Sequence, residues 1–113
     1  MYHQNLLAAE RSAWALTQAD VAILLGLSAD TIGNYELCER LPSVVTAIGM
    51  MLIFGKTFAQ LCPDLAREVA SDILPRAQAF SIKVENRPAT TRRRNQDFLT
   101  KLAERLSSIL PDA

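Results

Sequence analysis

The segment from Leu16 to Ser43, LTQADVAILLGLSADTIGNYELCERLPS, decides the fold of this 113-residue chain. Thr17 is placed to cap a helix whose third residue is Asp20, because a hydroxyl and a carboxylate at this spacing can form the reciprocal bonds of a capping box. A first helix is therefore predicted over about residues 18–25. Gly26 then supplies the left-handed turn that a side chain would resist.

A second short helix is predicted directly after this turn. Ser28 is placed as its cap, so that the helix begins at Ala29. Ile32, together with Tyr35 or Glu36, is expected to face the first helix. Two capped helices that meet at a glycine are typical of a helix-turn-helix. The opposite, outward stripe of the second helix consists of Ala29, Asp30, Gly33 and Asn34.

With these residues in place, the chain resembles the lambda-repressor-like family of DNA-binding domains, also called the Cro or XRE type, over roughly residues 3–62. Its pattern is similar to R-x(4)-L-T-Q-x-x-[LV]-A-x-x-[LV]-G-[LV]-S-x-x-T-I-x-x-Y-E. The residues in register are Arg11, Leu16, Thr17, Gln18, Val21, Ala22, Leu25, Gly26, Leu27, Ser28, Thr31, Ile32, Tyr35 and Glu36.

The resemblance implies an all-α fold with a five-helix domain over residues 1–62. Beyond it, hydrophobic periodicity predicts a helical extension over residues 63–113. It also implies that Arg11 pairs with Glu36 and thereby ties the first helix of the domain to the recognition helix. Gln18 would contact a backbone phosphate, and the outward stripe would enter the major groove of double-stranded DNA.

The outward stripe offers few base contacts. Asn34 is the best candidate, because its amide can form two hydrogen bonds to adenine. Asp30 could accept from a cytosine amine, or could serve stability alone by facing the positive end of the helix dipole. Ala29 can touch only a thymine methyl, and Gly33 could permit close approach to the DNA.

Phosphate contacts are expected from helix N-termini and from one loop cation. The family commonly carries a glycine and several cations after the recognition helix, whereas here Cys38 replaces the glycine and only Arg40 is basic. Ser43 should cap the next helix, whose N-terminus suits a phosphate. The predicted phosphate contacts are Thr17, Gln18, Ser28, Thr31, Arg40 and Ser43.

The charge distribution does not favour DNA binding by the first domain, because that domain is negative and the positive charge lies in the extension. Residues 1–62 contain three basic and five acidic residues, a net charge of −2, and residues 63–113 contain nine and seven, a net charge of +2. Phosphate binding favours the opposite arrangement. The triplet Arg92, Arg93 and Arg94 could provide additional DNA contacts, although such a run is more commonly a solvated helix face.

The rest of the first domain is expected to be scaffold. One helix is predicted over about residues 3–14, another over about 44–54 with a stop at Gly55, and a short one after a capping box at Thr57 and Gln60. Met50 and Met51 are expected to fill the core or an interface. The apolar residues predicted to be buried in the two longer helices are Leu6, Leu7, Trp14, Val45, Ile48, Leu52 and Ile53.

The extension is read from periodicity alone. A sixth helix is predicted from Pro63, kinked or restarted at Pro75, with helix favoured over a short strand near residues 80–84. A loop over about 85–90 and a last helix over about 91–110 follow. The apolar seam of that helix consists of Leu99, Leu102, Leu106 and Ile109.

This seam can be buried in two ways, by folding back on the sixth helix or by pairing with a second subunit. We expect a homodimer, because two recognition helices about one helical turn apart bind a pseudo-palindromic operator.

The remaining expectations are absences. No nucleophile lies near a histidine and there is no Gly-rich phosphate loop, so no catalytic residues, and no enzyme or cofactor, are predicted. His3, Cys38 and Cys62 do not make a metal site, and free thiols are favoured over a disulfide. No signal peptide or membrane span is expected, which indicates a cytoplasmic protein.

Together these features predict a dimeric, sequence-specific transcriptional regulator of bacterial or phage type that represses by occupying an operator. The alternative is a protein-interaction module, such as an antitoxin or adaptor, that keeps the helix-turn-helix and binds DNA weakly or not at all. The negative first domain and the missing loop cations motivate this alternative. Salt would separate the two, because phosphate contacts weaken steeply as ionic strength rises.

Overall fold

The computed structural model describes residues 5–110 of the chain. Capping and helix-stopping residues divide this range into seven α-helices, and it contains no strand. The chain is therefore all-helical over this range, as predicted. The helices are α1 (Leu7–Ala13), α2 (Gln18–Leu25), α3 (Ala29–Glu36), α4 (Val44–Phe54), α5 (Phe58–Leu61), α6 (Pro63–Val84) and α7 (Ala89–Ile109).

Two capping boxes start helices at the predicted positions. The Asp20 backbone N–H donates to Thr17 Oγ1 at 3.1 Å, and the Thr17 N–H donates to Asp20 Oδ2 at 2.9 Å. Thr57 and Gln60 repeat the arrangement before α5, with distances of 3.2 and 2.9 Å. Each box satisfies two backbone N–H groups that have no partner within the helix, one on the capping residue and one on the third helical residue.

Left-handed residues end four of the helices. Gly26 and Gly55 have φ values of 69° and 66°, as the sequence predicts. Cys38 also keeps this geometry, with φ 61°, and the Glu39 N–H donates to the Asn34 carbonyl in the pattern of a Schellman motif. The sequence did not reveal Ala15, whose φ of 55° ends α1 at a steric cost that glycine would avoid.

One compact unit ends at Leu65. Within it, α3 lies on α1 and α2, and α4 lies on α2 and α5. The predicted inward residues of α3, Ile32 and Tyr35, are confirmed as buried. The buried cluster consists of Leu7, Val21, Ala22, Ile32, Tyr35, Met50, Phe54, Leu61 and Cys62.

The prediction for the first helix was wrong at its start, whereas its end at Ala13, with Trp14 as the C-cap, lies within one residue of the prediction. The predicted start near His3 lies outside the described residues, but Asn5 and Leu6 are not helical and α1 begins at Leu7. Asn5 Oδ1 accepts from the Leu7 N–H at 3.1 Å and so satisfies a group at the start of the helix. Leu6 and Trp14 flank the short helix and are exposed, whereas both were predicted to be buried.

The predicted burial on α4 was also wrong. Val45, Ile48 and Leu52 are exposed, while Met50 and Phe54 are buried and Ile53 is half-buried. Because α4 carries no charged residue, its sequence does not mark which side faces water. The helix places its Met50 side against the core, so the predicted side faces outward.

The second compact unit begins at Ala66. Helix α6 is one helix through Pro75, so the predicted restart there does not occur, and residues 80–84 are helical as favoured. Proline removes one hydrogen bond, but the helix extends for several turns on both sides of it. Between residues 66 and 110, the buried apolar residues are Ala70, Val84 and Leu106.

Arg87 organises the turn between α6 and α7. Its guanidinium lies 5.0 Å from the centre of the Phe80 ring, and Nη1 donates to Asn95 Oδ1 at 2.7 Å. The loop is shorter than predicted, because Pro88 occupies the N-cap position of α7 and its carbonyl accepts from the Arg92 N–H at 2.8 Å. In the described part of the chain, no helix is both long and apolar enough to cross a membrane.

Candidate nucleic-acid interface

The turn at Gly26 holds α2 and α3 against each other through their apolar sides. Val21 and Ala22 of α2 are buried together with Ile32 and Tyr35 of α3. Their burial leaves the opposite side of α3 facing away from the core. The arrangement is the pair of short helices that the capping signals and the glycine predicted.

A groove of about 620 Å³ lies along this outer side of α3. It brings together three of the four predicted base-reading residues, Asp30, Gly33 and Asn34, whereas Ala29 does not line it. Asp30 is exposed, and Gly33 and Asn34 are half-buried. The residues lining the groove are Ala8, Gln18, Asp30, Gly33, Asn34, Glu36 and Leu37.

Arg11 of α1 and Glu36 at the end of α3 form the two-pronged ion pair that the family resemblance implies. Arg11 Nε donates to Glu36 Oε2 at 2.7 Å and Nη2 donates to Oε1 at 3.1 Å. Nη1 also donates to the Leu16 carbonyl at 2.9 Å. Arg11 thus ties the end of α3 to α1 and to the segment before α2.

The pair changes the acidity of its carboxylate. Burial alone would raise the pKa of Glu36, but hydrogen bonds from Arg11 and Gln18 and the charge of Arg11 outweigh it, so the pKa is lowered. The hydrogen bond to Glu36 raises the pKa of Arg11. Glu36 is therefore held ionised at neutral pH.

Gln18 has a different partner from the one its predicted role requires. Its Nε2 donates to Glu36 Oε1 at 3.0 Å, which places the amide beside the ion pair. The site of a Cβ on Gly33 would lie 3.6 Å from the Gln18 amide, an ordinary contact distance. Gln18 therefore lies between the ion pair and Gly33 of α3. Sequence spacing did not reveal this network, because its members are far apart in the chain.

The predicted phosphate-binding hydroxyls act as helix caps. Thr17 Oγ1 caps α2, Ser28 Oγ accepts from the Thr31 N–H at 3.2 Å, and Ser43 Oγ accepts from the Thr46 N–H at 3.2 Å. Thr31 Oγ1 lies 2.8 Å from Ser28 Oγ. These side chains define the N-termini of α2, α3 and α4, where backbone N–H groups favour an anion.

Arg40 is the basic side chain of residues 5–62 that forms no ion pair with another described residue. Arg11 is paired with Glu36, and Lys56 Nζ lies 2.7 Å from Glu10 Oε2. Arg40 is exposed in the loop between α3 and α4, and it forms no ion pair within residues 5–110. A phosphate near Ser43 would therefore meet one side-chain cation from this unit.

The basic triplet and the apolar seam lie on α7, in the second unit. Arg92 Nη1 donates to the Arg87 carbonyl at 3.4 Å, while Arg93 and Arg94 are exposed. Within the single chain, Leu106 is buried and the other seam residues are half-buried. The half-buried seam residues are Leu99, Leu102 and Ile109.

Both cysteines are free thiols near one small cavity in the first unit. Burial, and to a smaller extent the charge of Cys38, raises the pKa of Cys62 to about 11. Cys38 is half-buried, and its Sγ accepts from Asn5 Nδ2 at 3.3 Å. Among residues 5–110 no three His, Cys, Asp or Glu side chains lie close enough to hold a metal ion, and His3 lies outside that range.

No protein-family model matches the chain, and comparison with curated proteins and with solved structures found no significant similarity. The candidate interface is therefore defined by the contacts, charges and exposures of its own residues.

Proposed function

We propose that this protein is a sequence-specific DNA-binding transcriptional regulator of the lambda-repressor-like type, which acts as a homodimeric repressor at a pseudo-palindromic operator. The observation that carries the proposal is the capped pair α2 and α3, joined at Gly26, whose outer side groups Asp30, Gly33 and Asn34 in one groove. A short helix presented in this way can enter the major groove of DNA.

Base reading is assigned mainly to Asn34. Its amide can donate to and accept from the two major-groove atoms of adenine, which carries about 1–3 kcal/mol of discrimination in such pairs. Asp30 would accept from a cytosine amine at an adjacent position, and its charge would disfavour approach to phosphates. Gly33 presents no side chain, which leaves room for a base edge beside the helix.

Phosphate binding is assigned to Arg40 and to the N-terminus of α4. The other two cations of the first unit are already paired with Glu36 and Glu10. Each neutralised phosphate contributes a slope of about −0.9 to the dependence of log affinity on log salt. A protomer with one side-chain phosphate contact should thus show a shallow dependence, which backbone N–H contacts and Arg93 or Arg94 would steepen.

Arg11, Glu36 and Gln18 act as positioning residues in this proposal. The ion pair holds the end of α3 on α1, and the Gln18 amide connects the start of α2 to the same carboxylate. The three contacts fix the angle at which the outer side of α3 is presented. None of the three is assigned to base reading.

The test is fluorescence anisotropy of the full chain with DNA from immediately upstream of its own gene and with scrambled DNA, at two salt concentrations. Preferential binding that weakens with salt supports the proposal. Equally weak binding to both DNAs refutes self-regulation and favours a protein partner. A selection from random DNA duplexes then asks whether any preferred operator exists, and failure to enrich one refutes sequence-specific binding.

Two variants assign the roles. Asn34→Ala should lower discrimination between operator and scrambled DNA, while Arg40→Ala should weaken binding to both alike and reduce the salt slope by about 1 per protomer. Asn86→Ala and Arg76→Ala are matched controls, because both residues are exposed and lie in the second unit. If all four variants bind like the unaltered protein, the assignment of these two residues is wrong.

The second candidate function is a helix-turn-helix protein-interaction module such as an antitoxin or adaptor. The net charge of −2 over residues 1–62 and the small number of available cations favour it. Binding through an apolar protein surface would respond weakly to ionic strength. The salt series that tests the DNA proposal therefore also separates it from this alternative.

A further inference from the structure

Helix α4 has an uncovered apolar side along its whole length. Val44, Val45, Ile48 and Leu52 are 76, 81, 51 and 80% exposed. At 3.6 residues per turn these positions lie within roughly 100° of one another around the helix. Met50 is buried on the opposite side, and α4 contains no charged residue. We call these four residues the α4 face.

The α4 face is spaced symmetrically about Ile48. Val44 and Val45 precede it by one helical turn, and Leu52 follows it by one turn. If a second α4 approaches in the antiparallel direction, Ile48 meets its own copy and each Leu52 meets the smaller Val44 and Val45 of the other helix. Such large-to-small matching is what a two-fold, self-complementary helix contact requires.

We propose that the α4 face binds the α4 face of a second copy of this chain, with the two helices antiparallel across a two-fold axis at Ile48. The four side chains of the face carry no charged or polar group, so burying them against their own copy leaves no side-chain hydrogen bond unsatisfied. The inference rests on the proposed function only in that the proposed regulator is a dimer.

The available area indicates a weak dimer. An aliphatic side chain presents on the order of 100 Å² of apolar surface when fully exposed, so the α4 face offers roughly 300 Å² per copy. Ile23 and Leu24 of the adjacent helix α2 are also exposed and would bring this to roughly 400 Å² if they join the contact. A standard interface buries about 800 Å² per partner, so the dimer should dissociate on dilution.

The seam of α7 offers less surface to a partner. Leu106 is already buried within one chain, and Leu99, Leu102 and Ile109 are half-buried, whereas three of the four residues of the α4 face are more than three-quarters exposed. The hydrophobic contribution to association scales with the apolar area removed from water. The α4 face is therefore the stronger candidate for the subunit contact.

Sedimentation velocity of the full chain without DNA, over a dilution series from about 500 to 1 µM, is the first test, since interfaces of this size associate weakly. The unaltered protein should shift from dimer to monomer across the series. The double variant Val45→Glu and Leu52→Glu should be monomeric at every concentration. Ile82→Glu is the matched control on α6, because Ile82 is 64% exposed, and it should leave the dimer unchanged.

The position of the axis is tested by crosslinking. Ile48→Cys places two thiols at the proposed axis, where oxidation by copper phenanthroline and oxygen should join two chains by a disulfide. Ile82→Cys is the control, and unaltered protein corrects for Cys38 and Cys62. Thermal unfolding by circular dichroism verifies that each variant is folded.

Three results would overturn the proposal: a monomer at all concentrations, a dimer that survives the Val45→Glu and Leu52→Glu changes, or crosslinking of Ile82→Cys as fast as Ile48→Cys. A dimer that instead dissociates in Leu102→Lys with Leu106→Lys would assign the contact to the α7 seam. Because no DNA is present, these failures leave DNA binding to be judged by anisotropy. Loss of DNA binding with an intact α4 dimer would refute the proposed function alone.

Discussion

Removing the pair between Arg11 and Glu36 should cost more stability than removing any exposed ion pair. Two charge-assisted hydrogen bonds of 2.7 and 3.1 Å join the side chains, which are only 18 and 7% exposed. A hydrogen bond to a charged group contributes about 1.5–3 kcal/mol, and residual exposure to solvent reduces it, so a coupling energy of about 2 kcal/mol is expected.

The coupling is measured by urea unfolding of four proteins: the unaltered chain, Arg11→Met, Glu36→Gln and the double variant. Both substitutions keep an extended side chain and remove the charge. The bond from Arg11 to the Leu16 carbonyl is lost whenever Arg11 is replaced, so it cancels from the coupling energy.

The pair between Glu10 and Lys56 is the matched control in the same unit. It also joins residues distant in the chain, at 2.7 Å, but the Lys56 side chain is 44% exposed. Its coupling should fall in the range of about 0.2–1 kcal/mol that is typical of exposed pairs. If the coupling between Arg11 and Glu36 does not exceed that of this control, burial does not strengthen the pair and the reasoning is refuted.

The same pair predicts a pH dependence. Because the pKa of Glu36 is lower in the folded than in the unfolded chain, its contribution is fully present above the unfolded pKa of about 4.3 and is lost as pH falls through the lower folded value. Glu36→Gln should therefore lose less stability than the unaltered protein when urea unfolding is repeated below about pH 4. If the free energies of unfolding of the two proteins fall by the same amount as the pH is lowered, folding does not lower the pKa of Glu36.

Three further predictions concern backbone geometry and thiol reactivity. Ala15→Gly should raise the free energy of unfolding by about 0.5–1 kcal/mol, because φ is 55° there, and Ala9→Gly at an exposed position inside α1 should lower it by about 1 kcal/mol; a loss at both positions would contradict the left-handed assignment. Gly33→Ala should stabilise the fold by about 1 kcal/mol in the same assay, since the new Cβ meets no atom closer than 3.6 Å. Gly49→Ala should increase the stability by less, because its new Cβ would lie 2.7 Å from a methyl group of Leu25. Equal increases in stability at the two glycines would refute this reasoning. Alkylation followed by mass spectrometry at neutral pH should show Cys62 reacting at least about 100-fold more slowly in the folded than in the unfolded protein, since burial raises its pKa from 9.0 to about 11; equal rates would show that it is accessible.

Local signals account for what was predicted well. Thr17 with Asp20, Ser28, Ser43, and Thr57 with Gln60 cap helices through atoms no more than three residues apart, and Gly26 and Gly55 act through their own φ angle. Such preferences are encoded within a few residues and need no knowledge of the rest of the fold. The bounds of α2 and the start of α3 therefore followed from the sequence.

The candidate site was only partly predictable. The outward position of Asp30 and Asn34 follows from helical periodicity once Ile32 is assigned to the core. The bond from Gln18 to Glu36 spans 18 residues and the pair with Arg11 spans 25. The pair was expected from a family resemblance, while the position of Gln18 between the carboxylate and Gly33 depends on how the helices meet.

The sequence by itself determined where α2, α3, α4 and α5 begin and where α2 and α4 end, because caps and glycines act on neighbouring backbone atoms. Only the tertiary structure decided which side of an apolar helix is buried. Helix α4 has apolar residues on every side and no charged residue, so its sequence does not indicate which side faces the core and which faces water. Contact with α2 and α5 buries Met50 and Phe54 and leaves Val45 and Leu52 in water, because one helix cannot bury both sides against a single core.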